Sequence, residues 1–522
     1  MSRSHKISAR GIILWSIFSI NIIVLLLAVI IDLSWLIALS VTMSLALLAI
    51  YNIKQKRHSI LSNYPVIGYF RYFFESIRPE LRQYFFETEL DGRPFNRRQR
   101  SIVYQRSKNV KQTVPFGAIE YHDRTGHEWL AHSVYPSKIK EEDLRVTIGN
   151  AQCSQPYNAS IFNISAMSYG ALSKTAISAL NQGAALGNFA HNTGEGGISE
   201  YHLRGGDLIW QIGTGYFGCR DFEGNFYPEL FKINAANPRV KMIELKLSQG
   251  AKPGHGGLLP AEKNTAEIAS IRNVKPHTTV HSPSRHTAFS NAIEMVQFLG
   301  FMRELAEGKP VGFKICIGDR QEFVDICNAI TVTRIIPDFI TIDGSEGGTG
   351  AAPLEFSDHM GMPLHDALAF VSQTLEIFNL KGRVSVIASG KIITAFDILK
   401  AVALGADACY SARGMMMSLG CIQALQCDSG HCPVGIATQN PSLYKGLDVT
   451  DKRVRVANFH RNTIKATIEL MEAAGFTSLK DVSPSKFFRK VDPVHTRSFQ
   501  EIYFSQADDH LTENWYKSSM LN

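Results

Sequence analysis

The sequence predicts an α/β fold: a (β/α)8 TIM barrel preceded by a two-helix transmembrane hairpin. Three observations predict it. Two uncharged apolar runs open the chain, short β-branched runs alternate with helix-like segments from about residue 160, and glycine-rich turns follow the later runs. These features divide the 522 residues into a hairpin over 1–53, a flank over 54–150, a barrel over 151–450 and a helix with a tail over 451–522. Apolar residues make up 45% and charged residues 19%, so a folded chain is expected. The formal charge of +7 is spread over a long chain. No basic stripe interleaved with aromatics marks the barrel region, and no nucleic-acid partner is expected.

Residues 11–31 carry no charge, Asp32 follows, and 33–53 are again uncharged. Each run is long enough to cross a hydrocarbon core of roughly 30 Å as a helix. A secretory signal would have a shorter apolar core and a small-residue cleavage site. A single tilted span or a buried helical pair is the alternative. Arg3, Lys6 and Arg10 precede the first run, Lys54, Lys56 and Arg57 follow the second, and the turn has no basic residue. The positive-inside rule then puts both ends in the cytoplasm. The expected location is the cell inner (cytoplasmic) membrane, with the catalytic domain on the cytoplasmic side. The flank is rich in arginine and aromatics, including Tyr69, Phe70, Tyr72, Phe73, Phe74, Tyr84, Phe85 and Phe86. It either lies on the membrane surface or packs on the barrel.

Candidate strands are IFNIS (161–165), MIELKLS (242–248), TTVHS (278–282), VGFKICI (311–317), FITIDG (339–344), VSVIASG (384–390) and ACYSA (408–412). QEFVDICNAI, LHDALAFVSQTLEIF and AFDILKAVAL separate the last four and read as helices. Such alternation signals a parallel sheet. With one further strand between 166 and 241, the runs fit a barrel; a doubly wound open sheet is the alternative.

In a barrel the active site lies at the C-terminal ends of the strands. Here those ends carry Gly344, Gly347, Gly348 and Gly350, then Gly390 and Lys391, then Arg413 and Gly414. Glycine admits close backbone approach, and exposed N–H groups cradle phosphate. Gly390, Lys391 and the segment Ser411–Gly414 are the phosphate candidates. Thr394 with Asp397 has capping-box spacing and starts the next helix. Lys314 and Lys246 lie within apolar runs, where an ammonium is costly unless it meets negative charge. Each is either a functional cation or a core lysine paired to a carboxylate such as Asp343 or Glu244. GTGYFG (213–218) matches a dinucleotide fingerprint only formally, and it reads as a barrel loop.

The eight cysteines form no disulfide scaffold, but Cys421, Cys427 and Cys432 fall within twelve residues and precede Pro433. Thiolates suit iron–sulfur clusters or zinc, and spacing alone leaves a cluster, zinc and no metal open. His431 is an awkward fourth ligand beside Cys432.

GCIQALQCDSGHCPVGIATQNP closely resembles the cluster loop of glutamate synthases. The resemblance runs through AMSYGALS (166–173), NTGEGG (192–197), QGAKPGHGGLLP (249–260), HSPSRH (281–286), GFKI (312–315) and DGSEGGTGAAP (343–353), and covers about 160–450. The hairpin and ESIRPELRQYF point to the membrane-attached, FMN-binding glutamate synthase-like family. That resemblance implies a 3Fe-4S cluster on Cys421, Cys427 and Cys432. It implies FMN held by Ala166, Met167, Ser168, Lys314, Gly344, Gly347 and Gly348, with its phosphate at Gly390, Lys391, Ala412 and Arg413. Glu195 and Lys246 would lie near the substrate. In the family, electrons pass through the cluster to FMN, which reduces 2-iminoglutarate, formed from 2-oxoglutarate and ammonia, to glutamate. An electron donor such as ferredoxin is implied. Full glutamate synthases begin with a glutaminase domain whose mature N-terminal residue is cysteine. No cysteine precedes Cys153, so glutamine hydrolysis is not expected of this chain. The C-terminal domain of the long synthases is also not expected. Oxidation of another amine, or a non-catalytic membrane electron relay, are the competing readings.

Overall fold

The computed structural model describes residues 8–504 apart from Lys111. Arg3, Lys6 and the tail beyond 504 lie outside the described residues. The chain divides into two compact units, Met1–Arg97 and Arg98–Asn522.

In the first unit, helices α1 (Ala9–Ile30) and α2 (Trp35–Lys54) are long and apolar enough to cross a membrane. Both begin at a serine, and Ser8 caps α1 with its hydroxyl. Their shared face is small and polar. Ala28, Ala46 and Ala49 are buried there, and the Asn21 amide donates to the Thr42 carbonyl at 3.1 Å while the Thr42 hydroxyl donates back to Asn21 at 3.0 Å. Large side chains such as Trp15, Val29 and Ile37 point outward. Small residues and interhelical hydrogen bonds hold helices together where no hydrophobic drive exists between them. A further helix, Gly68–Leu81, exposes Phe70, Phe73 and Phe74.

The second unit is built on a closed parallel barrel of eight strands. They are β1 (Phe162–Ile164), β2 (His191–Asn192), β3 (Leu208–Ile212), β4 (Val240–Lys246), β5 (Val311–Ile315), β6 (Phe339–Asp343), β7 (Ser385–Ser389) and β8 (Ala408–Ser411). Neighbours in sequence pair in order, and β8 closes on β1 through Cys409, Tyr410 and Ser411 against Phe162, Asn163 and Ile164. Helices Arg320–Thr333, Leu364–Ile377 and Ala395–Ala403 follow β5, β6 and β7 as predicted, and Thr394 with Asp397 forms the expected capping box. The long helix Val449–Ala474 packs along Lys174–Gly187, where Gly183 leaves room for Val456.

Two strands, not one, occupy the stretch between 166 and 241. β2 is two residues long and its Asn192 reaches Glu244 in the barrel, so no apolar run announces it. TTVHS is not a barrel strand. Val280–His281 pairs antiparallel with Leu258–Leu259, forming a small hairpin in the long β4–β5 connection. Its β-branched residues are half-buried or exposed, so the run satisfies a two-stranded ribbon rather than a buried core.

The barrel centre is polar. Glu244 is fully buried and accepts from the Asn192 amide at 2.8 Å, the Gln211 amide at 2.5 Å and the Thr341 hydroxyl at 2.6 Å. Three donors from three strands meet the need of a buried carboxylate.

Candidate active site at the C-terminal ends of the strands

Lys314 lies next to last in β5 and faces Asp343 at the end of the adjacent strand β6. Its ammonium lies 3.2 Å from the Asp343 carboxylate, and both side chains are buried. The carboxylate also accepts from the Ser389 hydroxyl at 2.7 Å and the Gly250 N–H at 2.8 Å. Burial alone would lower the Lys314 pKa, but Asp343 and then Glu244 outweigh it and the net shift is upward. The ammonium is therefore held charged.

Lys246 stands beside Lys314 in the strand register. It pairs with Glu195 at 3.0 Å and donates to the Gln249 side-chain oxygen. The His286 ring contacts the Lys246 carbonyl at 2.9 Å, and burial pushes His286 down to about 4, so it stays neutral. Lys252 is 3% exposed and donates to the Gly256 carbonyl at 2.6 Å. Burial lowers its pKa against the pull of Glu195. Arg272, also buried, donates to the Tyr169 carbonyl at 3.1 Å. Glu195, Lys246, Gln249, Gly256 and Ser284 line one cleft. GTGYFG is the loop after β3, where an added Cβ on Gly213 would strike the Glu195 carboxylate. It serves as packing for Glu195.

Burial opposes ionisation of Glu195, yet Lys246, Lys252 and Arg272 carry its pKa below the ordinary 4.5. A carboxyl depressed in the folded state contributes stability above its ordinary value and loses it as pH falls through the lower folded value. Glu195→Gln is expected to lower stability at neutral pH and to flatten the acid limb of the stability curve. Denaturant titrations from neutral pH down to pH ~3 measure it.

Ala166, Met167 and Ser168 follow β1. The Met167 N–H donates to the Asn192 carbonyl at 3.0 Å, and Ser168 packs against Gly194 and Gly196, so this turn borders the Glu195 loop. Gly344, Gly347 and Gly348 follow β6. The Gly344 N–H donates to Ser389 at 2.8 Å, and Gly348 lies against the Arg413 guanidinium. Arg413, just after Ala412, donates to the Glu346 carbonyl. Glu346 accepts the Leu364 N–H at 3.1 Å and stands near Gly390. Lys391 is exposed at the rim with a φ of 51°. The structure thus gathers the predicted glycines and Arg413 around one set of loops, and puts Lys246 with Glu195 in the adjoining cleft.

Cys421, Cys427 and Cys432 lie on a segment without regular structure after the helix Arg413–Ser418. Burial raises the Cys421 thiol to about 11, and Cys427 and Cys432 add to that shift, so the three sulfurs sense one another. Among the described residues no three His, Cys, Asp or Glu side chains converge as they would on a single ion. Ligands of a multi-iron cluster bind different irons and stand farther apart. The loop is tied down by neighbours. The Tyr104 hydroxyl donates to the Cys421 carbonyl at 2.7 Å, the Lys263 ammonium donates to the Cys427 carbonyl at 2.8 Å, and Gly350 packs on the Cys427 backbone. The His431 ring turns to the Ser429 carbonyl at 2.9 Å and is exposed. Gln249, Lys252, Arg272, Lys263 and Tyr104 are site neighbours that sequence reasoning did not single out. Gln249 and Lys252 sit inside the quoted QGAKPGHGGLLP motif, the one signal that points to them.

A closed barrel with buried ion pairs and glycine loops at its strand ends defines a TIM-barrel enzyme. The family described as the conserved region in glutamate synthase matches residues 118–477. The chain is 39% identical over 468 residues to the glutamate synthase large subunit-like protein YerD of Bacillus subtilis, covering 81% of this chain and 88% of that one. It is 36% identical over 359 residues to the archaeal glutamate synthase (NADPH) of Methanocaldococcus jannaschii, covering 68% and 66%. For the archaeal-type glutamate synthase (NADPH) of Thermotoga maritima the figures are 35% over 320 residues, 61% and 60%. The chain belongs to the glutamate synthase family. It is an oxidoreductase of the class acting on CH–NH2 donors.

Proposed function

We propose that the chain is a membrane-anchored, FMN-dependent enzyme that makes glutamate from 2-oxoglutarate and ammonia by way of 2-iminoglutarate, with electrons entering through a 3Fe-4S cluster. One observation carries the substrate class. Lys246, Lys252 and Arg272 all act on Glu195, so three cations share one carboxylate among the described residues of this cleft. Buried charge demands a counter-charge, and a dicarboxylate supplies two.

Condensation of 2-oxoglutarate with ammonia releases water and gives the imine, and two electrons and two protons convert that imine to glutamate. FMN held at the strand ends would supply the hydride, and a cluster held by Cys421, Cys427 and Cys432 would supply single electrons for its reduction. Lys246 and Lys252 bind the substrate carboxylates, and the neutral His286 ring holds the Lys246 backbone in place. Glu195 orients Lys246 through their ion pair until a substrate carboxylate competes for it. Lys314, fixed by Asp343, sets a permanent positive charge where a flavin ring would meet the strand ends. The loop of Gly344, Gly347 and Gly348 fits FMN; Gly390, Lys391, Ala412 and Arg413 fit its phosphate; and three thiols fit a multi-iron centre. The α1–α2 hairpin anchors the chain in the cytoplasmic membrane with the barrel on the cytoplasmic side, where a soluble donor such as ferredoxin has access.

The test uses full-length protein purified anaerobically, supplied with 2-oxoglutarate, ammonia and reduced ferredoxin. Glutamate is expected in proportion to donor consumed, two electrons per molecule. A preparation replete in flavin and iron that yields no glutamate sinks the substrate claim.

A further inference from the structure

Lys263 ends the short 3-10 turn Ala261–Lys263, in the long connection that leaves β4. It is 7% exposed. Among the described residues no carboxylate lies within ion-pair distance of it. Burial lowers its pKa against the pull of Cys427, Asp428 and Cys432, and Asp428 is exposed to water. Its ammonium donates to the Cys427 carbonyl at 2.8 Å. A buried ammonium without a carboxylate needs another anion. As ligands of a cluster, Cys427 and Cys432 would be thiolates and would supply that anion.

We propose that Lys263 is a positioning residue that sets how readily the cysteine-held centre accepts an electron. The inference rests on the cluster reading given above. One-electron reduction adds one negative charge to that centre and changes nothing else in the balance. A fixed buried cation alongside stabilises the reduced form more than the oxidised one, because little solvent screens the pair. Lys263 also holds the Cys427 backbone, so charge and geometry come from the same side chain. It lies on the same connection as Lys252, which places a substrate-side cation and an electron-side cation on one segment.

Two variants of the full chain separate charge from hydrogen bonding. Lys263→Gln keeps an N–H donor for the Cys427 carbonyl and drops the charge; Lys263→Arg keeps the charge. Each is titrated with dithionite and mediators while the oxidised-cluster EPR signal and the iron content are followed. The Gln variant is expected to retain iron and to reduce at least tenfold less favourably, a shift of 59 mV to more negative potential for a one-electron couple. The Arg variant is expected to stay at the wild-type potential. Equal potentials for wild type and Lys263→Gln at full iron overturn the proposal. If Lys263→Gln does not hold iron, the Arg variant decides, and a shifted potential there overturns it. Iron-free wild type instead overturns the cluster reading itself.

Discussion

Replacing Lys314 by Met is expected to destabilise the barrel by about 3–5 kcal/mol and to abolish turnover. The side chain sits 3.2 Å from the Asp343 carboxylate, with both groups under 10% exposed. Removing the cation strands a buried charge on Asp343, which keeps only the neutral donors Ser389 and Gly250. The stability loss belongs to the unpaired carboxylate rather than to the lost contact. A second change separates structure from chemistry. In Lys314→Met with Asp343→Asn the nearest stranded charge is gone, Glu244 keeps its three hydrogen-bond donors, and most of the folding free energy is expected to return. Flavin content and glutamate formation are expected to stay lost, because the fixed cation at the strand ends is gone. Denaturant unfolding and the flavin absorbance of purified protein measure the two effects. Turnover restored in the double variant removes Lys314 from the reaction.

Gly250→Ala is expected to be the most damaging single methyl group in the protein. Its new Cβ would fall on the Gly344 carbonyl oxygen, with the Asp343 carbonyl close behind. Both neighbours are backbone, so no rotamer change relieves the clash. The loops after β4 and β6 must separate, and the Gly250 N–H leaves Asp343. Overpacking of this kind costs about 1–3 kcal/mol or more. A displacement near 1 Å in a reacting constellation lowers kcat/KM on the order of 100-fold. Gly318 lies in open space at ordinary φ, so Gly318→Ala is expected to change neither quantity. Steady-state kinetics on the two variants make the comparison, and a wild-type kcat/KM in Gly250→Ala refutes the close-contact argument.

Strands β5, β6 and β7 are legible in the sequence because a barrel strand is buried on both faces and reads as one apolar run. β2 is not. His191 and Asn192 are polar, and Asn192 answers Glu244 rather than a hydrophobic neighbour. TTVHS has strand composition, and composition alone does not distinguish a ribbon from a barrel. Lys314 and Lys246 stand out as lysines inside apolar runs, and the three cysteines as a cluster in a chain otherwise sparse in them. Gln249, Lys252, Lys263 and Arg272 sit in loops or near helix ends, where polar residues are ordinary. Only folding brings them to Glu195 and to Cys427.

Gly250 against Gly344 and Gly350 against Cys427 are contacts of main chain on main chain. They join three loops from distant parts of the sequence with no side chain between them. The spacing from the cationic cleft to the cysteines is therefore fixed by peptide planes, which neither swivel nor compress. Such a frame leaves little room for local rearrangement. It also separates what can diversify from what cannot. Side chains standing on the frame, Gln249 and Lys252 among them, are free to be exchanged while the distance from cleft to cysteines is kept.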